Sequence, residues 1–442
     1  MGFSTVQLKK CLKSIPSHYY VVGSGWLSRI VMAGVQVISI PLVLRFVGTE
    51  QYALFAVITG LLLWFNLADL GLGTSIQNHI SLLRVQQKET TGFLNSLVIF
   101  VLLIGCVEVV LFSLIAPFLQ HFLLHKLATH ASSYLLIVAG NMYILAALFG
   151  IAYKIFFAQH RGYWAYFYQT ISYIGSLALV LLLIFLQVHR DQLLWVLLGW
   201  TAPQMLFAFT AFLHAVPLRR CIISADFGLF KKIFSKAWQY SVNAVGAAFV
   251  LGIDYVIMSQ LLNANDITVY NIFNRIFSFM YFGYSAVLVA LWPVLAEHYA
   301  DFKAEKYRQA NAMLIRNGLM ASLYVVTGTL VIFALKTPLL LLFSKNTLVI
   351  PGAAILLFGF YYITRVWTDT YATAIQSRNK IAFIAMTVPI QAMTSIVFLY
   401  YFSRWLGLNG ILLGLALCFL ITGFWLLPVY HYYSIRKMRI ED

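Results

Sequence analysis

From Tyr19 to Leu44 the chain runs for twenty-six residues with a single formal charge, Arg29. A helix rising about 1.5 Å per residue crosses a hydrocarbon core of about 30 Å with such a run. An arginine at the centre of a spanning helix costs about 2.5–3.5 kcal/mol on insertion scales, so its presence asks for a reason. Similar runs recur along the 442 residues, and they leave only 10% charged side chains in a chain that is 62% hydrophobic. A soluble domain carries about 25% charged residues. Apolar surface on this scale has no place to hide in a water-soluble fold. The runs are long and continuous, whereas barrel strands alternate over about ten residues. The fold class is therefore an all-α polytopic membrane protein.

The pattern predicts about twelve transmembrane helices, near residues 20–44, 52–83, 92–119, 132–158, 163–187, 192–215, 238–262, 268–296, 309–335, 350–376, 381–403 and 408–433. The second is long and carries Gly71 and Gly73, where a break is expected. Prolines inside spans, such as Pro41, Pro117, Pro293 and Pro389, remove a backbone donor and kink a helix. Lys9, Lys10 and Lys13 precede the first run as they would in a signal peptide. That run is too long for such a segment and has no small-residue cleavage site, so it reads as a retained span.

Twenty of the thirty lysines and arginines fall at the N-terminus or in alternate loops counted from it, and six fall on the opposite side. The positive-inside rule then places both termini in the cytoplasm. The same bias accounts for the net charge of +16 with no nucleic acid partner. A test follows directly. A cysteine placed at Asn265 is expected to react with an impermeant thiol reagent added outside, and native Cys221 is not; the reverse pattern would overturn the topology. Cys11, Cys106, Cys221 and Cys418 share no close spacing, which predicts neither a disulfide nor a metal site.

Six runs precede the basic connection at 216–237 and six follow it. The expected organisation is a cytoplasmic segment 1–19, a six-helix lobe 20–215, a basic cytoplasmic linker 216–237, a second six-helix lobe 238–433 and a cytoplasmic tail 434–442. The phrases LRFVGTEQYALFAVITGLL and SQLLNANDITVYNIFNRIF follow the first run of each half and loosely echo one another. Two halves that both start inside are related by a pseudo-two-fold axis along the membrane normal, and such folds bind substrate between the halves.

Four arginines fall inside spans: Arg29, Arg275, Arg316 and Arg365. Helical spacing puts Gly25 and Gln36 on the face of Arg29, and it builds a polar stripe of Asn271, Asn274, Arg275 and Ser278. Arg365, Asp369 and Gln376 share a face, as do Asn66, Asp69, Gly73 and Gln77, and Asn243 lies in line with Asp254. Glu108 lies within the third run. One polar seam on each of several helices suits a shared aqueous cavity.

Plainer readings stand beside this one. Arg29 lies six residues past Gly23 and is within snorkelling reach of the cytoplasmic headgroups. Arg316 is near the start of its helix and has the same option. Arg365 and Asp369 are spaced to neutralise each other. Asp69 and Asp254 can serve as structural hydrogen-bond acceptors. Tyr281, Tyr361 and Tyr362 are either core residues or stacking surfaces for sugars. Arg275 has no acid on its stripe and the richest polar neighbourhood. A guanidinium matches phosphate bidentately, so an arginine-lined cavity points to an anion, with phosphate or pyrophosphate the natural candidate.

The opening GWLSRIVMAGVQVISIPLVLRFVGTEQYALFAVITGLL and the following LADLGLGTSIQNHIS carry a resemblance. Arg29 in the first span, Pro41-Leu42 near its end, the Gly48, Glu50, Tyr52 turn and Asp69 to Leu72 resemble the polysaccharide-transporter branch of the multidrug/oligosaccharidyl-lipid/polysaccharide exporter superfamily, and most of all its Wzx-type O-antigen flippases. The twelve-span plan extends the resemblance along the chain. It implies two lobes around a cavity and translocation of an undecaprenyl-pyrophosphate-linked oligosaccharide between leaflets of the bacterial inner membrane by alternating access. It implies no cofactor. Membrane lipids and other O-antigen assembly proteins, such as a polymerase or a chain-length regulator, are the implied partners. Arg29 and Arg275 match the family's cationic cavity residues by position, with Arg316 and Arg365 as further pyrophosphate ligands. Asp69, Glu108, Asp254 and Asp369 are the candidates for ion coupling or cavity tuning.

Two rival readings belong to other classes. A membrane-embedded polymerase or ligase acts on the same lipid but uses an external site, and the external loops here are short. No P-loop, HExxH motif or Cys/His cluster is present in the sequence. A cation or drug exporter of the same superfamily would want an acidic cavity, which the four intramembrane arginines oppose.

Overall fold

The computed structural model describes residues 17–124, 127, 134–188, 190–216, 227–300, 304–344, 348–378 and 380–441. Residues 1–16 of the N-terminal segment and 217–226 of the basic linker, with Cys11 and Cys221, lie outside the described residues. Every regular element among the described residues is helical. Ten helices are long and apolar enough to cross a membrane, and the bent pair Tyr240–Leu251 and Ile253–Leu261 makes up to eleven. Gly352–Ser377, expected as a span, falls short of that test because its 26 residues include Arg365, Asp369 and a run of threonines and tyrosines.

The first span is α1, Ser17–Val47. Gly48, at φ +82°, turns the chain straight into α2, Thr49–Gly60, in which every residue from Tyr52 to Thr59 is buried. The expected break in the second run is present. After the short α3, Leu62–Phe65, comes a 3-10 turn, Asn66–Asp69, and then two left-handed residues, Leu70 and Gly71, before α4, Leu72–Val85. A broken helix in lipid must satisfy its freed amides internally. The Asp69 carboxylate does so here, accepting a 2.8 Å hydrogen bond from the Gly71 N–H.

Gly71 is required twice over. Its φ is +68°, and a Cβ there would lie 2.4 Å from the Ala237 carbonyl oxygen and 2.9 Å from the Ser241 amide nitrogen. Backbone on both sides cannot swing away. Gly71→Ala is expected to destabilise the protein by at least the ~1–2 kcal/mol of a left-handed alanine. Thermal unfolding in detergent, read by size-exclusion fluorescence, checks this; an unchanged midpoint would refute the assigned turn.

The chain continues through α5, Thr91–Leu124, then α6, Tyr134–Phe149, and α7, Ile151–Ala158, which are separated at Gly150. Next come α8, Gly162–Phe185, and α9, Gln192–Ala215. Beyond the linker lie α10, Phe227–Leu251, α11, Ile253–Leu261, α12, Ala264–Ala300, and α13, Ala304–Ala334. The last elements are α14, Lys336–Ser344, α15, Gly352–Ser377, α16, Ile381–Leu406, α17, Leu408–Phe419, a π-type turn, Leu420–Phe424, and α18, Leu426–Glu441.

The chain divides into two compact units. One comprises Met1–Phe46, Leu62–Phe122 and His130–Ala244; the other comprises Val47–Leu61, Leu123–Thr129 and Val245–Asp442. The segment holding α2 therefore clusters with the C-terminal helices. Inside each unit, lipid supplies no hydrophobic force between helices, and small residues let backbones approach. In the first unit Gly199 of α9 packs on Leu183 of α8, and the buried Ser176 hydroxyl donates to the Trp200 carbonyl at 2.7 Å. In the second, Gly359 of α15 packs on Thr329 of α13, and Gly414 of α17 sits against the backbone of Phe398 and Leu399 in α16.

Candidate functional site

The polar stripe of α12 meets the polar face of α15 inside the second unit. Phe277 stacks on both Phe358 and Tyr362, with ring centroids 5.2 and 5.5 Å apart, and this apolar seam fixes the register of the two helices. Around it, the Tyr362 hydroxyl donates to Asn274 Oδ1 at 3.2 Å, so the Ser278 hydroxyl, 2.8 Å away, donates to Tyr362. Tyr281 donates to Asp369 Oδ2 at 2.6 Å. Arg365 lies beside the same carboxylate oxygen, with Nε 3.7 Å from it, and its Nη1 donates to the Tyr361 hydroxyl at 3.2 Å. The guanidinium also sits 4.4 Å from the centroid of the Tyr281 ring, a cation–π contact. Asp369 and Arg365 therefore compensate each other, as their spacing allows.

Arg275 is held differently. Its Nε donates to Asn271 Oδ1 at 3.2 Å. That oxygen also accepts from the Tyr52 hydroxyl at 2.9 Å, while Asn271 Nδ2 donates to the Tyr255 hydroxyl at 2.7 Å. Asn271 is buried and engaged at both Oδ1 and Nδ2, which orients the arginine. No carboxylate lies within ion-pairing distance of Arg275 among the described residues, and no hydrogen bond engages its two Nη groups. The half-buried side chain thus presents a clamped stem and an unpaired fork.

Asp254 lies in the first turn of α11, where the helix dipole favours a carboxylate. It is buried, and its Oδ2 accepts from the Tyr270 hydroxyl, whereas Oδ1 makes no hydrogen bond of standard geometry. Arg316 is exposed on α13 and forms no hydrogen bond or ion pair among the described residues. These five charged residues of the second unit thus divide: Arg275 is held by Asn271, Arg365 pairs with Asp369 in a separate cluster with Tyr281 and Tyr361, Asp254 accepts from Tyr270, and Arg316 stands apart.

The first unit holds Arg29, Asp69 and Glu108. Arg29 is half-buried beside Ser28, whose hydroxyl donates to the Tyr166 carbonyl at 3.3 Å and accepts from Thr170 at 2.7 Å. Gly25 makes this contact between α1 and α8 close, since a Cβ there would meet the Tyr166 ring at 2.9 Å. Asp69 is committed to the Gly71 turn through one oxygen. Its other oxygen and the Lys154 side chain both crowd Gly73, at 2.9 and 3.1 Å from where a Cβ would be. Glu108 Oε2 is buried without a hydrogen-bond partner.

Sequence reasoning missed Tyr52 and Tyr255, which engage both ends of the Asn271 amide, and Tyr270, which donates to Asp254 Oδ2. Their signal is faint, because a tyrosine in an apolar run reads as core until its hydroxyl finds a partner. Tyr281, Tyr361 and Tyr362 were legible: one continues the α12 stripe and two lie a turn before Arg365. Tyr361 and Tyr362 are buried, and their hydroxyls are engaged with Arg365, Asn274 and Ser278, so they build the site's wall.

This arrangement of membrane-length helices is the fold seen in transporters of the MOP superfamily. An inward-facing multidrug-resistance MATE transporter of that superfamily superposes with a TM-score of 0.75, covering 92% of this chain and 95% of its own at 13% identity. The lipid II flippase MurJ, in an inward closed conformation, superposes with a TM-score of 0.71, covering 94% and 87% at 14% identity. These likenesses speak for the fold alone. The chain belongs to the family described as polysaccharide biosynthesis protein, which matches residues 22–299. It is 32% identical to a putative O-antigen transporter of Salmonella typhi over 97% of this chain and 99% of that relative.

Proposed function

We propose that the protein is a flippase that carries an undecaprenyl-pyrophosphate-linked oligosaccharide, an O-antigen repeat unit, from the cytoplasmic to the periplasmic leaflet of the bacterial inner membrane. The observation that carries the reading is Arg275: an unpaired guanidinium fork, clamped by Asn271 on a helix long enough to span. Full-length similarity to a putative O-antigen transporter supports the cargo class. Arg275 grips a pyrophosphate oxygen pair through its Nη groups. Arg365, compensated by Asp369, shapes the wall and holds the tyrosines. Arg29 in the first span and Arg316 on α13 are the further cationic residues offered to the pyrophosphate during the cycle. Release on the other side follows alternating access, and Asp69, Glu108, Asp254 and Asp369 tune the field. No bond is made or broken in this cycle, so the protein acts as a transporter and not an enzyme. Polymerase and chain-length regulator act on the delivered unit.

Reconstitution tests the reading. Proteoliposomes loaded with a pyrophosphate-linked glycan are expected to expose it to an external glycan-cleaving enzyme only when the protein is present. Equal exposure in protein-free vesicles, or transport of cationic dyes in its place, would overturn the assignment in favour of the drug exporter.

A further inference from the structure

A groove of about 920 Å³ opens between the start of α13 and the end of α18, lined by Glu305, Arg308, Asn311, Ile315, Ile435 and Arg436 among others. Its depth in the bilayer follows from hydropathy. The apolar runs of these helices, near 309–335 and 408–433, begin just after Arg308 and end shortly before Arg436, so the groove lies at headgroup level on the side of both basic ends. Neither Arg308 nor Arg436 makes a hydrogen bond or ion pair among the described residues, whereas Glu305 is engaged by Gln309 at 3.4 Å.

The floor of the groove is rigid, for a reason legible in its hydrogen bonds. Arg378 can only donate, so its Nη2, 2.9 Å from His431 Nδ1, leaves that nitrogen without a proton. The buried imidazole then carries its proton on Nε2 and donates to Asn311 Oδ1 at 2.9 Å. Tyr299 donates to the same oxygen at 3.2 Å. With Oδ1 doubly occupied, the orientation of the Asn311 amide is set, and Nδ2 is the group left to serve the groove. Arg378 Nη1 also donates to Ser434 at 2.8 Å, which ties α18 to the end of α15.

We infer that this groove is a binding site for the phosphate of an anionic glycerophospholipid of the cytoplasmic leaflet. Two free guanidinium forks and an oriented amide face it, a donor set that matches the oxygen pair of a phosphodiester. Ile315 continues up the outer face of α13 from the groove and gives an acyl chain a path into the hydrocarbon region. The site is separate from the Arg275 network and does not depend on what is transported.

Native mass spectrometry of the full-length protein in detergent tests the inference, with phosphatidylglycerol and phosphatidylethanolamine offered in turn. Phosphatidylglycerol is expected to be retained with about thirtyfold preference, the effect of two arginines near a membrane surface. Arg308→Gln with Arg436→Gln should abolish the preference, and Arg436→Gln alone should reduce it about fivefold if the double variant does not purify. Equal retention of both lipids, or a preference unchanged in either variant, would overturn the site. Displacement of the lipid by equimolar inorganic phosphate would identify a free-anion site and equally overturn the lipid assignment.

Discussion

Arg275→Ala is expected to lower glycan export by about a hundredfold or more while leaving the protein folded and inserted. The side chain is clamped at Nε by Asn271 and carries no counter-charge, so removing it breaks one 3.2 Å hydrogen bond and leaves no carboxylate stranded. What is lost is binding: hydrogen bonds to charged groups contribute about 1.5–3 kcal/mol each, and two from the fork correspond to about 10²–10⁴ in affinity. Arg275→Lys should recover only part of this, because an ammonium has the charge without the bidentate geometry. Arg365→Ala should behave differently. Breaking a fully buried pair costs about 3–5 kcal/mol. These side chains are 22% and 30% exposed, so a smaller loss of stability is expected, one that Asp369→Asn in the same chain partly restores. Surface polysaccharide at native expression, read beside thermal stability in detergent, separates the two. Normal polysaccharide from Arg275→Ala would remove it as the headgroup anchor.

Imposing an inside-negative potential, with no proton or sodium gradient, is expected to accelerate export. A pyrophosphate diester carries about two negative charges, and one elementary charge moved through 100 mV is worth about 2.3 kcal/mol. Outward movement is then favoured by about 4.6 kcal/mol per 100 mV, roughly three orders of magnitude in the equilibrium. The emptied cationic site is drawn back inward by the same field, so a cycle can run on potential alone. The motive for this account is structural: the arginine with the free fork has no acid beside it, while Asp369 is taken by Tyr281 and Arg365, and Asp69 is engaged by its turn. Proteoliposomes under a potassium–valinomycin potential provide the measurement. Flipping that ignores the potential and follows a cation gradient, with Asp254→Asn or Glu108→Gln removing that dependence, would make the acids the engine.

The helical class, most of the expected spans and the break near Gly71 were legible from residue order. Each rests on a local cause: a helix in lipid must be apolar over its length, and a glycine after an acid in an apolar run marks a turn that supplies its own acceptor. The polar stripe on α12 was legible for the same reason, since helical periodicity puts 271, 274, 275 and 278 on one face whatever surrounds them. The i,i+4 spacing of Arg365 and Asp369 likewise foretold their pairing.

Partners across the fold were not legible. Asn271 Oδ1 accepts from Tyr52, which is 219 residues away in the sequence, and Tyr281 reaches Asp369 across 88. No local pattern encodes such separations. Spacing already set Arg275 apart and paired Arg365 with Asp369, but what surrounds each arginine had to wait for packing: α12 supplied Arg365 with the Tyr281 ring face, the buried Asn271 fixed Arg275 by its stem alone, and Arg316 was left exposed on α13. An arginine's chemistry at membrane depth depends on which donors and acceptors remain unpaired around it, and that is a property of side chains brought together by the tertiary structure.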